Sequence, residues 1–344
     1  FESINHKIMH NYLQQIKVKE KNHMTKKKVK LSVTSLLISA LLIFSCVGAY
    51  AAQNSNQYDY SYTFEGNNAN YISKNLATDE EKYYNVNNNN AYSLSNVTEG
   101  SSSGYIPDDC SFGNISDDGY GIEPTNIIGS DGRSRVTNTT SFPYSAICYL
   151  ETKWKDGTTT IGTAWMYWKD IAITAGHCVY SSDRGGWAKS VTIWPGRNGS
   201  TTPYGSAYAK VMHTSTAWTN SSNANYDYGL LELNKNIGTS TGYFGMHWTS
   251  SSLNGKSITV AGYPGSSIKI RQLWKMNGKV ASCNANKVYY SIDTEGGQSG
   301  SPVYWYNSTY GYQGIAIHAY GGSSNNSGTR ITQSLFDFFT SFRD

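Results

Sequence analysis

Short apolar runs of four to seven residues recur between about residue 127 and residue 330, and polar, turn-forming segments separate them. Four of these segments contain an Asn-Gly or Asp-Gly pair, which favours a tight turn. Closely spaced short runs are typical of strands in a sandwich or in barrels, and not of helices. The predicted strands are Ala146–Leu150, Ile161–Tyr167, Ile171–Thr174, Tyr208–Met212, Tyr228–Leu233, Ile258–Gly262, Val288–Ile292, Val303–Tyr306 and Gln313–Ile317.

The pattern changes at the C-terminus, where apolar residues recur at intervals of three and four positions. That spacing places them on one face of a helix. We therefore expect an all-β protein that ends in an α-helix packed on the strands. The apolar stripe of this helix consists of Ile331, Leu335, Phe336, Phe338, Phe339 and Phe342.

Residues 24–51 are typical of a secretory signal peptide. Met24 is the expected natural start, and residues 1–23 are then an upstream extension. The lysines at 26, 27, 28 and 30 precede the apolar run Leu36–Val47, and Ala49-Tyr50-Ala51 provides a small-x-small cleavage site. The run is shorter than the about 20 residues that cross a bilayer, so we expect a secreted, extracellular protein without a stable membrane anchor. Lipid attachment at Cys46 is a weaker alternative, because the bulky Phe44 stands two residues before it and makes a poor attachment site.

The rest of the chain consists of an acidic part followed by a basic part. Residues 53–125 are rich in Asn, Ser and Tyr and contain 11 acidic and 2 basic residues, whereas the chain from 126 onward contains 18 basic and 11 acidic residues. Low apolar content argues against an independent core in the first part. The segment 52–126 is therefore predicted to be a pro-segment that docks electrostatically, or else an acidic tail. Nucleic-acid binding is not expected, because the basic residues are dispersed and no binding motif is present.

Three local contexts contain the residue types of acyl transfer. A serine hydroxyl needs an imidazole base and a buried carboxylate that orients the base. His177 lies in Thr-Ala-Gly-His-Cys directly after an apolar strand, Asp227 lies directly before a buried strand, and Ser299 lies in Gly-Gly-Gln-Ser-Gly-Ser-Pro. The order His, Asp, Ser excludes the α/β-hydrolase arrangement. The glycines fit an oxyanion hole, for which the backbone N–H groups of Gly297 and Ser299 are the predicted donors.

The motifs at 174–178 and 296–302 resemble those of the chymotrypsin-like serine proteases, and more closely the bacterial glutamyl endopeptidases, the V8-like group and its bacillus relatives. The stretches at 127–133, 226–227, 262–265 and 317–318 are also similar. The resemblance covers about residues 127–340. It implies a serine protease domain over 127–344, with two antiparallel β-barrels at about 127–238 and 239–330. His177 and Asp227 would lie on the first barrel and Ser299 on the second.

The same resemblance implies a serine endopeptidase that cleaves after Glu, and less well after Asp, at P1. The residues that would bind this side chain in the S1 pocket are His318 and Thr294. Both can donate hydrogen bonds to a carboxylate. The alternative is a trypsin-like enzyme specific for Lys or Arg, because Asp293 stands six residues before Ser299.

Activation and disulfide bonding are also expected from the resemblance. Cleavage between Asn126 and Ile127 would free an α-amine that helps to bind the acidic P1 side chain. The cysteine that bacillus enzymes carry before the His-Cys pair is missing near Gly162, which leaves Cys148 as the expected disulfide partner of Cys178. Cys283 is either free or bonded to Cys110. In the predicted protease domain no CxxC or HxxxH spacing indicates a metal site, and we expect no cofactor.

The expected partners are protein or peptide substrates with an acidic P1 residue and the protein's own pro-segment, and the expected state is a monomer. The sequence also leaves open a function other than catalysis. The chain could be a non-catalytic surface-binding protein on a protease fold, with the Tyr- and Asn-rich segment as its binding region.

Overall fold

The computed structural model of the protein describes residues 58–61, 70–88, 98–107 and 127–343, and for 58–61 and 85–88 the backbone only. The predicted signal peptide, Asn126, Cys46 and Cys110 lie outside the described residues. The strands are β1 (Tyr58–Ser61), β2 (Tyr71–Asn75), β3 (Glu81–Asn88), β4 (Glu99–Ser101), β5 (Ser134–Val136), β6 (Ile147–Lys153), β7 (Thr159–Met166), β8 (Ile171–Thr174), β9 (Tyr180–Ser181), β10 (Gly186–Trp187), β11 (Ser190–Pro195), β12 (Ala207–Ser215), β13 (Gly229–Leu233), β14 (Gly245–Thr249), β15 (Ser257–Gly262), β16 (Leu273–Cys283), β17 (Lys287–Tyr290), β18 (Pro302–Asn307), β19 (Gly311–Tyr320) and β20 (Asn326–Arg330).

Short helices connect or follow the strands. The α-helices are α1 (Thr216–Ser221), α2 (Gly238–Thr241) and α3 (Gln333–Thr340). The 3₁₀-helices are Tyr144–Ala146, Gly176–Cys178, Ser182–Arg184 and Ala224–Tyr226. Within the described part of the chain no helix is long and apolar enough to cross a membrane.

Two six-stranded antiparallel barrels form the body of the protein. The first closes in the order β12, β11, β6, β7, β8, β13 and back to β12. The second closes in the order β18, β15, β16, β17, β20, β19 and back to β18. Closure pairs the last strand of each barrel with the first, so that neither sheet is left open. The predicted all-β fold of two barrels is confirmed.

The nine predicted strands all occur, as β6, β7, β8, β12, β13, β15, β17, β18 and β19. The predicted closing helix is also confirmed, as α3. The Thr332 hydroxyl accepts a hydrogen bond from the backbone N–H of Leu335 and caps this helix. Leu335, Phe338 and Phe339 are buried. The apolar stripe therefore packs on the protein, as its spacing predicts.

Strands of the acidic segment pair with a strand of the first barrel and with β14, which lies beside β19 of the second barrel. β2 pairs antiparallel with the edge of β12, and β4 pairs antiparallel with β14. Tyr71 and Ile72 of β2 are buried, and the Tyr71 ring stacks on Phe338 with ring centroids 3.7 Å apart. The segment has few apolar residues, and β2 gains buried surface by pairing with a strand of the first barrel.

The predicted Cys148–Cys178 disulfide is wrong: both residues are free and buried. Cys148 on β6 pairs with Ala164, whereas the Cys178 sulfur faces Gly162, which pairs with Leu150. The Cys178 sulfur therefore lies beside a position two residues along β6 from Cys148, and the two sulfurs are not bonded. Cys283 is also free.

Candidate active site

Strand pairing brings His177 and Asp227 together. His177 lies in the 3₁₀-turn after β8, and Asp227 lies between another 3₁₀-turn and β13. β8 and β13 are antiparallel neighbours, with Thr174 opposite Gly229. The Nδ1 atom of His177 lies 2.7 Å from Oδ2 of Asp227, and the backbone N–H of His177 donates to Oδ1 at 2.9 Å. The fully buried carboxylate therefore holds both the ring and the backbone of the histidine.

Asp227 and His177 each favour the charged form of the other. Burial alone would raise the pKa of Asp227, but the neighbouring His177 outweighs it and the pKa lies below its usual range. Burial likewise opposes protonation of His177, yet the charge of Asp227 raises the pKa of the imidazole well above its ordinary value. Such a pair stabilises the imidazolium that forms when the ring accepts a proton.

The loop of Ser299 connects β17 with β18 and lies against the first barrel. The carbonyl of Ser299 accepts a hydrogen bond from the backbone N–H of Thr163 on β7 at 2.8 Å. The sulfur of Cys178, the residue after His177, lies 3.9 Å from the same carbonyl oxygen. The loops of His177 and Ser299 are thus adjacent, although they belong to different barrels.

Two glycines give this loop its shape. Gly297 has a φ of +96°, and a Cβ atom there would lie 2.8 Å from the backbone nitrogen of Gly265. Gly300 has a φ of +89°, and its N–H donates to the carbonyl of His318 at 2.7 Å. Other residues rarely adopt this conformation. The glycines allow the close turn in which the N–H groups of Gly297 and Ser299 occur.

The three residues considered for the S1 pocket differ in their bonding. Asp293 accepts two backbone N–H groups, from Ile128 at Oδ1 and from Gly132 at Oδ2, both at 2.8 Å. His318 is buried, and its Nδ1 atom lies 2.6 Å from the Tyr290 hydroxyl. Burial, together with the charges of His177 and Lys287, lowers the pKa of His318 to about 3, so the ring is neutral.

Thr294 differs from both. Its side chain is fully buried, and its Oγ1 atom has no hydrogen-bond partner among the described residues. A buried hydroxyl without a partner is uncommon, because its desolvation is not compensated. The strand that carries His318 is bonded to the loop that carries Thr294, since the N–H of His318 donates to the carbonyl of Ser301.

Comparison with known proteins agrees with this geometry. The family model described as Trypsin matches residues 132–338, which is more than half of the chain. The chain belongs to the trypsin family. It is a serine protease, and the predicted resemblance to chymotrypsin-like proteases is confirmed.

Named relatives of this trypsin-family protease include glutamyl endopeptidases. One from Bacillus licheniformis is 43% identical over 227 residues, which are 63% of this chain and 69% of the relative. A Bacillus subtilis strain 168 protein named extracellular metalloprotease is 43% identical over 218 residues, with the same two shares. A solved structure of a Glu endopeptidase superposes with a TM-score of 0.56 at 30% identity, over 62% of this chain and 98% of that chain.

Three residues near Asp227 were not predicted from the sequence. The Thr329 hydroxyl donates to the backbone carbonyl of Asp227 at 3.1 Å, and the Tyr320 hydroxyl helps to lower the pKa of the Asp227 carboxyl. Lys287 is buried, with Nζ 3.3 Å from Oγ1 of Thr329 and 4.5 Å from the centroid of the Tyr320 ring. These residues lie 60 or more positions from Asp227 in the chain, and no local motif marks them.

Within the described ranges, no group of three or more His, Cys, Asp or Glu side chains is arranged to hold a metal ion.

Proposed function

We propose that this serine protease is a secreted endopeptidase that cleaves after Glu, and less well after Asp, once its pro-segment 52–126 has been removed. Ser299 is the nucleophile, His177 the general base and acid, and Asp227 the residue that orients His177. The N–H groups of Gly297 and Ser299 form the oxyanion hole. The names of the relatives and the bonding of His177, Asp227 and Asp293 support this assignment.

The reaction follows from these positions. His177 takes the proton of the Ser299 hydroxyl as its oxygen attacks the scissile carbonyl carbon. The tetrahedral oxyanion accepts hydrogen bonds from Gly297 and Ser299, each worth about 10²-fold to 10³-fold in rate. His177 then gives the proton to the leaving amine, which leaves an acyl-enzyme. A water molecule, deprotonated by His177, hydrolyses the ester and releases Ser299.

The bonding of Asp293 is the observation that carries the choice of substrate. A protease specific for Lys or Arg needs a free carboxylate in its S1 pocket. Both oxygens of Asp293 already accept N–H groups of Ile128 and Gly132, and the side chain is 2% exposed. This bonding disfavours the Lys/Arg alternative.

Two side chains can receive an acidic P1 residue instead. The buried Thr294 hydroxyl has no partner among the described residues and can donate to a substrate carboxylate. His318 is neutral in the free protein, and a carboxylate nearby would raise its pKa and favour a charge-assisted hydrogen bond. Substrate binding would then be linked to the uptake of a proton by His318.

Activation by cleavage between Asn126 and Ile127 fits the position of the residues that follow. The N–H of Ile128 is bonded to Asp293, the neighbour of Thr294, so a new N-terminus at Ile127 would form beside the S1 pocket. The acidic segment 53–125 and the basic chain after it also have opposite charges. Secretion is supported by the predicted signal peptide and by the name of the extracellular relative.

Digestion of a mixed peptide library by the processed protein tests the specificity. We expect cleavage after Glu, weaker cleavage after Asp, and none after Lys or Arg. Cleavage confined to bonds after Lys or Arg would overturn the glutamyl assignment. A parallel digestion with a chelator is included because one relative is named a metalloprotease, and we expect the activity to survive it.

Labelling of the processed protein with a fluorophosphonate tests the nucleophile. We expect the wild type to label and Ser299→Ala to lose both labelling and nearly all peptidase activity while remaining folded. An unlabelled, inactive wild type would favour the surface-binding alternative. An active Ser299→Ala variant would show that another residue is the nucleophile.

A further inference from the structure

A fully buried guanidinium lies beneath the loop of Ser299. Arg133 is two residues after Asp131 and forms a two-pronged bond with it, from Nε to Oδ1 at 2.9 Å and from Nη2 to Oδ2 at 2.8 Å. The backbone N–H of Arg133 also donates to Oδ1 of Asp131. The orientation of the guanidinium plane is therefore set within its own segment.

The other edge of the guanidinium faces the loop. Nη1 of Arg133 donates to Oε1 of Gln298 at 2.7 Å, and Nη2 donates to Oε2 of Glu295 at 2.9 Å. The Glu295 N–H donates to the same Oε1 atom of Gln298 at 3.0 Å. The loop from Glu295 to Gln298 is thus closed on itself and bonded to Arg133. Gln298 is the residue directly before Ser299 and directly after Gly297.

The cluster balances its charges away from water. Lys269 contacts Asp131 at 2.5 Å and lies 3.8 Å from Glu295, so two cations face two carboxylates. Burial opposes ionisation of Asp131, but Arg133 and Lys269 outweigh it and hold the pKa of this carboxyl well below its usual range. Buried charges of this kind contribute little net stability, because their desolvation offsets their attraction. What they do provide is a defined geometry.

We propose that Arg133 is a positioning residue for catalysis, which holds Gln298 and Glu295 so that the N–H groups of Gly297 and Ser299 point at one oxyanion. The proposal rests on the function proposed above. Arg133 touches neither substrate nor Ser299 and acts through the loop. Oxyanion donors contribute to the rate only when they are held in place before the reaction. Loss of the guanidinium therefore lowers kcat, while the S1 contacts that determine KM remain.

The kinetics of Arg133→Ala and Arg133→Lys test this role, with Arg135→Ala as the matched control on the same segment. The Arg135 guanidinium donates to Asn198, which lies on a different loop, after β11. We expect kcat to fall about 10-fold to 100-fold in Arg133→Ala with KM changed less than about threefold. Affinity for a peptide boronic acid, which occupies the oxyanion hole, falls in parallel. Millimolar guanidinium restores part of kcat in Arg133→Ala and leaves Arg135→Ala unchanged.

Two results would overturn the proposal. One is an Arg133→Ala enzyme that is folded and retains wild-type kcat. The other is an Arg133→Ala enzyme in which KM rises as much as kcat falls and in which guanidinium does not restore kcat.

If Arg133→Ala does not fold, Gln298→Met provides the second variant, because it removes the acceptor and keeps the side-chain length. We then expect Arg133→Lys and Gln298→Met to be non-additive in kcat, whereas additive losses contradict the coupling. Activity in Ser299→Ala would refute the proposed function instead, so the two failures are distinguishable.

Discussion

The sulfur of Cys178 lies 2.9 Å from the point at which a Cβ atom would stand on Gly162. In a disulfide, the Cβ atom of one cysteine is about 3 Å from the sulfur of the other. Gly162 therefore occupies the place from which a cysteine would bridge Cys178. The free thiol beside His177 results from this glycine and not from a mispositioned strand.

Gly162→Cys is expected to form a disulfide with Cys178 under oxidising conditions. The closed loop of about 16 residues would raise the free energy of unfolding by about 3 kcal/mol. The measurement is the midpoint of urea unfolding with and without reductant, together with a thiol count. Gly162→Ala is the control, since it adds the Cβ atom without a second sulfur. Equal midpoints for the two variants under oxidising conditions would contradict the prediction.

Thr294→Val should lower kcat/KM for Glu substrates about 10-fold to 100-fold, because it removes a donor to the P1 carboxylate. The free energy of unfolding should change little, since the hydroxyl loses no partner among the described residues. Thr294→Ser keeps the hydroxyl and should retain most of the activity. If Thr294→Val cleaves Glu peptides as well as wild type does, the hydroxyl has no part in S1 binding.

The acid limb of kcat/KM should have its midpoint above pH 6.5. The pKa of His177 is raised by Asp227 from its ordinary value of 6.5, and the protonated ring cannot act as the base. Activity is therefore lost as the pH falls through this raised pKa. Asp227→Asn removes the charge, so its acid limb should move to lower pH and its kcat should fall about 10⁴-fold. If the acid limb does not move in Asp227→Asn, the group that titrates there is not His177.

Lys287→Met should stabilise the protein near neutral pH, by about 1 to 3 kcal/mol. Burial lowers the pKa of Lys287 from 10.5 to about 8, against the opposing effect of Asp227. Between these two pH values the unfolded chain binds more protons, so this residue makes the wild type more stable as the pH rises from about 8 to 10.5. The gain from Lys287→Met should shrink over the same range. The exposed Lys279→Met is the control, and a destabilised Lys287→Met would contradict the expectation.

Tyr71→Ala in the acidic segment should destabilise the unprocessed chain by about 3 to 5 kcal/mol, as expected for a buried aromatic residue. Tyr71 is 2% exposed and stacks on Phe338 of α3. Tyr208→Ala is the matched control, because Tyr208 lies on the neighbouring strand β12 and is 55% exposed. Urea unfolding in a Ser299→Ala background avoids self-digestion. Equal midpoints for the two variants would show that β2 adds nothing to the stability.

Elements with a local signal were predicted well, and elements without one were missed. β8 is a continuous apolar run and occurs as predicted, Ile171–Thr174. β20 reads Asn-Ser-Gly-Thr-Arg and has no apolar residue, so no periodicity indicates a strand. It is a strand because β17 and β19 pair with its two edges. Strand formation there is a property of the closed barrel.

The sequence by itself determined the candidate nucleophile, base and carboxylate, because each lies in a short motif whose chemistry depends on adjacent residues. Tertiary structure decided what surrounds them. It separated Cys148 from Cys178, bonded both oxygens of Asp293 to the backbone at 128 and 132, and placed Arg133 beneath Gln298. Such contacts join positions up to 165 residues apart. They depend on strand register and on the packing of the barrels, which no local motif specifies.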